Sequence, residues 1–306
     1  MIYDLAIIGA GPSGMTAGVF AARKGLKTII ISKDIGGQVN WTTDIENYMG
    51  FQEIDGQALV DRFEEQVKDL HLEEKLTSVE SLGKEGELFK MKTAAGEEIL
   101  ARAVIVSSGK KPRTLNIPGE TALRNKGVSY CATCDGPLFR DLDVAVVGGG
   151  NSAVKSALDL AHYAKFVHLF AISELTADAI LTDRLKQLPN LKIYTGHTVV
   201  EIQGEKSVER IVAEVAATKQ RFTIPLQGVF IEIGLETNVS FIDRGVERNE
   251  ANEIKVDCLC RTNISGLYAA GDVTSVPEKQ IIVAAGEGAK AALKAWDYLM
   301  EHQYQV

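Results

Sequence analysis

The chain has 306 residues, 45% of them hydrophobic, with 33 Lys and Arg against 41 Asp and Glu, a formal net charge of −8. That length can bury a large core and suggests two domains, and the acidic balance argues against a general nucleic-acid or membrane-surface role. No apolar run approaches the ~18 residues of a membrane span, and four cysteines in so long a chain do not make a disulfide scaffold.

The first residues, Met1 to Ile8, enter a strand pattern at once, without the charged and apolar segments of a secretory leader. A cytoplasmic location is therefore expected. Residues 5–31 read as strand, glycine turn, small-residue helix and strand, the turn being Gly9-Ala10-Gly11-Pro12-Ser13-Gly14. In such a unit Gly9 permits the tight turn, Gly11 lets the backbone approach a pyrophosphate, and Gly14 lets helix pack on strand. The helix N-terminus then offers unpaired amides to phosphate.

Residues 57–76 suggest an acidic amphipathic helix at the surface, and residues 79–106 short strands with a turn at Gly96. Val104 to Gly109 is a strand ending in small residues, where the chain can pass close to a ligand. Lys110-Lys111-Pro112-Arg113 reads as a linker with solvated basic residues.

Next comes Tyr130-Cys131-Ala132-Thr133-Cys134-Asp135-Gly136-Pro137. Two thiols separated by two residues can close a small disulfide and reopen it, taking up and releasing two electrons. Asp135, directly after the second thiol, can carry the proton each half-step needs. The rival is zinc, but a structural zinc site wants four ligands, and the other cysteines form a distant Cys258-x-Cys260. A redox pair is the reading adopted, with no metal. Cys258 and Cys260 have strand spacing that points both to one face; small buried hydrophobes are expected there, an auxiliary dithiol being the alternative.

The strand–turn–helix unit then recurs. Val144 to Val147 leads into Gly148-Gly149-Gly150-Asn151-Ser152-Ala153, a helix to about Ala164 and a strand to Phe170. Gly9, Gly11 and Gly14 align with Gly148, Gly150 and Ala153, and Ile31 with Phe170. Two copies suggest two dinucleotides, an electron donor and a tightly held cofactor. A helix at about 177–187 and strands at 191–203, 208–217 and 220–233 follow. Gly234 to Asn238 breaks the pattern and marks a second hinge. Gly266 to Asp272 is a buried strand capped by Gly-Asp, and a helix runs from about Gln280 to His302.

The order of these elements resembles the low-molecular-weight thioredoxin reductases, and more closely the C-terminal flavoprotein part of the alkyl hydroperoxide reductase flavin subunit. The resemblance covers the whole chain, through residues 9–14, 36–38, 45–48, 131–139, 146–153, 269–272 and 279–292. It implies an α/β fold of two Rossmann-like three-layer domains. An FAD domain would comprise residues 1–113 and 246–306, with an NAD(P)H-type domain carrying the CxxC inserted at 114–245. It also implies a homodimer.

Carried over by position, Gly9, Gly11, Pro12, Ser13 and Gly14 would lie along the FAD pyrophosphate. Gly37, Gln38, Asn47 and Gly109 would line the flavin and ribityl region. Asp272, after Gly271, would bond the ribityl chain, and Gln280 and Ile281 would present helix N-terminal amides to the flavin. Gly148, Gly150, Asn151, Ser152 and Ala153 would take NAD. The resemblance places Cys134 nearer the flavin, and linkers near 111–115 and 243–247 would let the dithiol swing between flavin and partner. The thioredoxin-fold N-terminal domains of the hydroperoxide reductase flavoprotein have no counterpart, so a separate thioredoxin-like or glutaredoxin-like protein is the expected partner.

Three departures bear on these implications. An acid usually ends the second strand to hold the adenosine ribose; here Ser32 and Lys33 follow Ile31. NADPH-dependent members carry an arginine cluster where this chain has His168 to Glu174, with no arginine. A dianionic 2′-phosphate would lack its partner, so NADH is expected over NADPH. Lys155 stands where the family pattern has Glu, leaving ferredoxin or another flavin as the alternative donor. Rival functions on the same residues are a flavin dithiol oxidase using O₂ and a flavin-bearing redox sensor.

Overall fold

The computed structural model describes residues 1–42 and 44–303. They form two compact units, one running to residue 111 and resuming at 236, the other of 112–235.

In the first unit the chain runs β1 (Ile2–Ala10), α1 (Pro12–Arg23) and β2 (Thr28–Ile35), then a 3-10 turn (Gly37–Trp41). The short pair β3 (Asp44–Ile45) and β4 (Ile54–Asp55) leads to α2 (Gly56–Asp69) and β5 (Glu73–Leu76). A meander follows, β6 (Val79–Glu85), β7 (Leu88–Thr93) and β8 (Glu98–Val106), before β9 (Lys110–Pro112) leaves the unit. The main sheet has the order β5-β2-β1-β8-β7-β6. The period of two along its central strands divides two cores. Leu5, Ile7, Ile30, Ala103 and Ile105 pack on one face, Ala6, Ile8, Ile29, Ile31, Val104 and Val106 on the other.

The second unit continues with β10 (Val128–Ser129), the single turn α3 (Ala132–Asp135), β11 (Asp143–Val147), α4 (Asn151–Leu160), β12 (Phe166–Ala171), α5 (Ala179–Leu185) and β13 (Leu191–Thr195). Strands β14 (His197–Gln203), β15 (Arg210–Val215) and β16 (Arg221–Pro225) form a separate antiparallel sheet, and β17 (Gly228–Ile231) returns to the parallel one. Its order is β10-β17-β11-β12-β13. β18 (Leu235–Thr237) pairs with β9 where the chain crosses back. The first unit then closes with β19 (Leu267–Ala269), parallel to β8, and α6 (Ile281–Gln303), against α1.

Several expectations need correction. The helix expected over 57–76 ends at Asp69, and Glu73–Leu76 forms an edge strand on β2. β2 itself runs on to Ile35, so Ser32 and Lys33 lie inside it. The run 220–233 is two strands in different sheets, divided at residues 226–227. The second crossing falls at 235/236, within the hinge read at Gly234 to Asn238, rather than at the 245/246 bound the resemblance implies, because Val239 and Ile242 are buried in the first unit's core. Cys258 and Cys260 sit in a turn, not a strand. Asp257 Oδ1 accepts from the amides of Leu259 and Arg261, Cys258 is exposed, and Cys260 is buried with φ +62°. Among the described residues, no helix is long and apolar enough to cross a membrane.

Candidate active site

Cys131 and Cys134 are joined as a disulfide with their Cα atoms 5.3 Å apart. α3 explains how so short a segment holds them. Cys131 is its N-cap and Sγ accepts from the Cys134 amide at 3.3 Å. Asp135, closing the same turn, donates its amide to the Cys131 carbonyl at 3.1 Å.

Behind the turn lies Ser129, 5% exposed. Its hydroxyl accepts from the Cys131 amide at 3.1 Å and donates to Asp135 Oδ2 at 2.6 Å. One side chain therefore fixes both the first thiol's backbone and the neighbouring acid. Tyr130 points elsewhere, its hydroxyl donating to Glu120 Oε1 at 2.8 Å. Glu120 is buried and also accepts from the Leu115 and Asn116 amides. Burial, with Glu120 second, pushes the Tyr130 phenol up to about 12. Ser129 and Glu120 escaped the sequence reading; the one available signal was a hydroxyl residue two places before the first thiol.

In the first unit, Gly9 takes φ +111° and a Cβ on it would lie 2.3 Å from the Ser107 carbonyl. A Cβ on Gly14 would lie 1.8 Å from the Gly9 carbonyl. Gly11 N-caps α1 without a side-chain cap and with open space where its Cβ would be, Pro12 occupies the first turn, and no acid follows. Ser13 is buried, its hydroxyl 3.3 Å from that of Ser107. Those first-turn amides and that open backbone could hold a pyrophosphate.

Around this turn the fold gathers residues distant in sequence. A Cβ on Gly37 would lie 3.8 Å from Gly11 Cα, and one on Gly271 would lie 3.0 Å from Ser13 Cβ. Gln38 donates to Asp272 Oδ2 at 3.0 Å, and Asn47 to Gln280 Oε1 at 3.2 Å. Ile281 begins α6. Gly109 takes φ +63° beside the crossing, its carbonyl accepting from Asn238. Burial raises the Asp272 carboxyl above its ordinary range, against the pull of Lys279, Lys110 and Gln38. A desolvated acceptor with spare lone pairs suits the hydroxyls of a ribityl chain. The residues present thus fit FAD.

Lys110 is not the solvated residue expected. It is 8% exposed and ion-paired with Glu253, which Lys279 also meets at 3.2 Å. Lys279 further donates to the Thr274 carbonyl at 2.6 Å. Burial would raise the Glu253 carboxyl, but hydrogen bonds from Lys110 and Asn249 and the Lys279 charge hold it below its ordinary value. Lys111 is exposed and pairs with Glu236.

The second glycine turn repeats the first in the other unit. Gly148 takes φ +150°, and a Cβ there would lie 2.3 Å from the Glu232 carbonyl. Gly150 N-caps α4 with no side-chain cap and no acid in the first turn. Ala153 is buried, and Asn151 pairs with Asp178 on the next loop. Ser152 donates to Glu232. At the end of β12, Phe170 is 1% exposed and stacks on Tyr194 with centroids 4.6 Å apart. Ala171 is also buried, while Ile172, Ser173 and Glu174 are exposed. No carboxylate stands at the strand's end. His168 lies within β12, its imidazole pKa lowered by burial.

Residues 3–288 match the family model described as pyridine nucleotide-disulphide oxidoreductase. The F subunit of alkyl hydroperoxide reductase from Escherichia coli (strain K12) is 42% identical over 307 residues, 97% of this chain and 58% of that protein. Its counterpart from Staphylococcus aureus (strain MSSA476) is 42% identical over 98% of this chain and 60% of its own. The chain thus spans about 60% of the length of these curated relatives. Thioredoxin reductase from Streptococcus pyogenes MGAS5005 superposes with a TM-score of 0.94 at 37% identity, covering 98% of this chain and 99% of that one. Thioredoxin reductase from Giardia duodenalis gives 0.94 at 31%, with the same coverage.

Proposed function

The chain belongs to the pyridine nucleotide-disulphide oxidoreductases and has a thioredoxin reductase-like fold; from that premise we propose that it is a cytoplasmic, homodimeric, FAD-dependent reductase of a protein disulfide. The observation that carries the reading is the Cys131–Cys134 disulfide, set in one helical turn with Asp135 under the Ser129 hydroxyl. Bound FAD supplies two-electron chemistry. Gly9 to Gly14 hold its pyrophosphate, Asp272 and Gln38 its ribityl chain, and the start of α6 its ring.

The dithiol does the rest by thiolate–disulfide exchange. One thiolate of the reduced pair bonds a partner sulfur and expels the other. The second thiolate then displaces the first partner sulfur. The pair ends oxidised, the partner reduced, and Asp135 carries protons at the Cys134 sulfur. The partner is a thioredoxin-like or glutaredoxin-like protein. Support comes from the thioredoxin reductase structures, matched over 99% of their length. Cys131→Ser should abolish disulfide reduction while the protein keeps its yellow colour; retained activity would remove the dithiol from the reaction.

The donor is NADH rather than NADPH, supported by the arginine-free stretch His168 to Glu174, whose Phe170 and Ala171 are core residues. A second reading, electron entry from ferredoxin or another flavin, is favoured by exposed Lys155 on α4 where the family pattern has an acid. Anaerobic stopped-flow with NADH, NADPH and reduced ferredoxin, following flavin bleaching, decides between them. Fast bleaching by NADPH would refute both.

A further inference from the structure

Glu232 is the residue just past the C-terminal end of β17. That strand lies parallel to β11 with Val147 opposite Ile231, and the Glu232 amide donates to the Val147 carbonyl at 2.8 Å. From β11 the chain builds outward to β12 and β13 on one side, while β17 and β10 lie on the other. The β11/β17 boundary is therefore the switch point, where an open parallel sheet binds its ligand beyond the strand ends. A dinucleotide centred on Gly148 to Gly150 would put its adenosine half over β12 and its nicotinamide half over β17 and Glu232.

The carboxylate there is a built feature. Ser152 and Ser156, one helical turn apart on α4, each donate a hydroxyl to it, Ser152 to Oε2 and Ser156 to Oε1 at 2.8 Å. Each oxygen takes one serine and keeps a further lone pair. Glu232 is half-buried, so it stays reachable. Other charges near this end of α4 include exposed Lys155 on the helix, Asp178, which accepts from Asn151, and exposed Glu174, whose carbonyl lies near Gly149. With Lys155 on the helix, Glu232 is the acid held against α4 by these serines.

Resting on the reading that a nicotinamide nucleotide is the donor, we propose that Glu232 determines recognition of the nicotinamide end, with Ser152 and Ser156 as its positioning residues. Its free lone pairs accept from the carboxamide –NH₂. Its charge acts on the reaction itself. The neutral dihydronicotinamide loses one hydrogen with two electrons to the flavin, and the ring left behind is a cation. A fixed carboxylate beside that ring stabilises the developing positive charge more than the neutral reactant, which is the differential interaction that speeds a step.

The test is binding to the holoenzyme of three probes: NAD⁺, the neutral 1,4,5,6-tetrahydro analogue of NADH, which cannot give hydride, and ADP-ribose, which lacks the ring. Glu232→Gln should weaken NAD⁺ about tenfold, the scale of one hydrogen bond to a charged group. The tetrahydro analogue should weaken less, and ADP-ribose should be unchanged. Ser156→Ala, which keeps the charge but loosens it, should give a smaller loss for NAD⁺, with unaltered ADP-ribose binding reporting an intact second unit. Equal shifts for all three probes would mean that Glu232 acts on the turn or the phosphates and would overturn the proposal, as would unchanged NAD⁺ affinity. Failure of the unsubstituted protein to bind any of the three would instead refute the nicotinamide donor, and this proposal with it.

Discussion

Ser129 hydrogen-bonds the Cys131 backbone and the Asp135 carboxylate at once, so its replacement has a defined signature. Ser129→Ala should lower disulfide-reduction turnover roughly tenfold, the scale of one charge-assisted bond, by freeing both the Cys131 backbone and the Asp135 carboxylate. Ser129→Thr should restore it. At Cys260, burial pushes the thiol up to about 11, whereas Cys258 is exposed. With the Cys131–Cys134 disulfide intact, thiol titration of native protein near neutral pH should find one reactive group per chain, lost in Cys258→Ser. The cysteine pair was legible because its two members lie three positions apart in the chain. The serine behind them, and the carboxylate holding Tyr130, become neighbours only through folding. Cys258 and Cys260 were misread because a two-residue period predicts a shared face only in a strand, and Asp257 turns the chain there instead.

Two glycines of α6 differ in what they permit. A Cβ on Gly288 would lie 2.0 Å from the Ser13 carbonyl, and one on Gly286 would meet nothing within 4 Å. Gly288→Ala should destabilise by about 1–3 kcal/mol or more through forced separation of α1 and α6. Gly286→Ala should be neutral or stabilising by about 0.5–1 kcal/mol. Chemical denaturation of both variants checks the contrast. The Lys110–Glu253–Lys279 bridge gives the first unit an acid sensitivity. Glu253 has a folded pKa below its unfolded one, so its contribution is full above the ordinary carboxylate range and is lost as pH falls through the lower folded value. Glu253→Gln should cost about 3 kcal/mol at neutral pH by leaving the buried Lys110 ammonium and the half-buried Lys279 ammonium under-compensated, and should flatten stability against pH on the acid side. The lysine's burial could not be seen in a Lys-Lys-Pro-Arg run, because its partner lies 143 positions away.

At the scale of the molecule, the repeated strand–turn–helix pattern made both nucleotide units legible, since each glycine turn needs only local spacing. The extent of each unit was less legible. The return crossing was legible as the break at Gly234 to Asn238, whereas the bound carried over by resemblance fell ten residues late, past Val239 and Ile242, which enter a core built mostly by residues far upstream. The second unit is one unbroken stretch, 112–235, with its own buried clusters. Expressed alone it should fold, melt cooperatively by circular dichroism and retain its disulfide.

The first unit has no such independence. β19 completes its sheet beside β8, and α6 covers α1. During synthesis on the ribosome, those pieces emerge last, after the entire thiol-bearing unit has left the exit tunnel. The amino-terminal segment must therefore wait, its apolar surface uncovered, while the inserted unit matures first, and a ribosome stalled before residue 267 leaves a nascent chain with a finished redox turn and an open yellow-cofactor half.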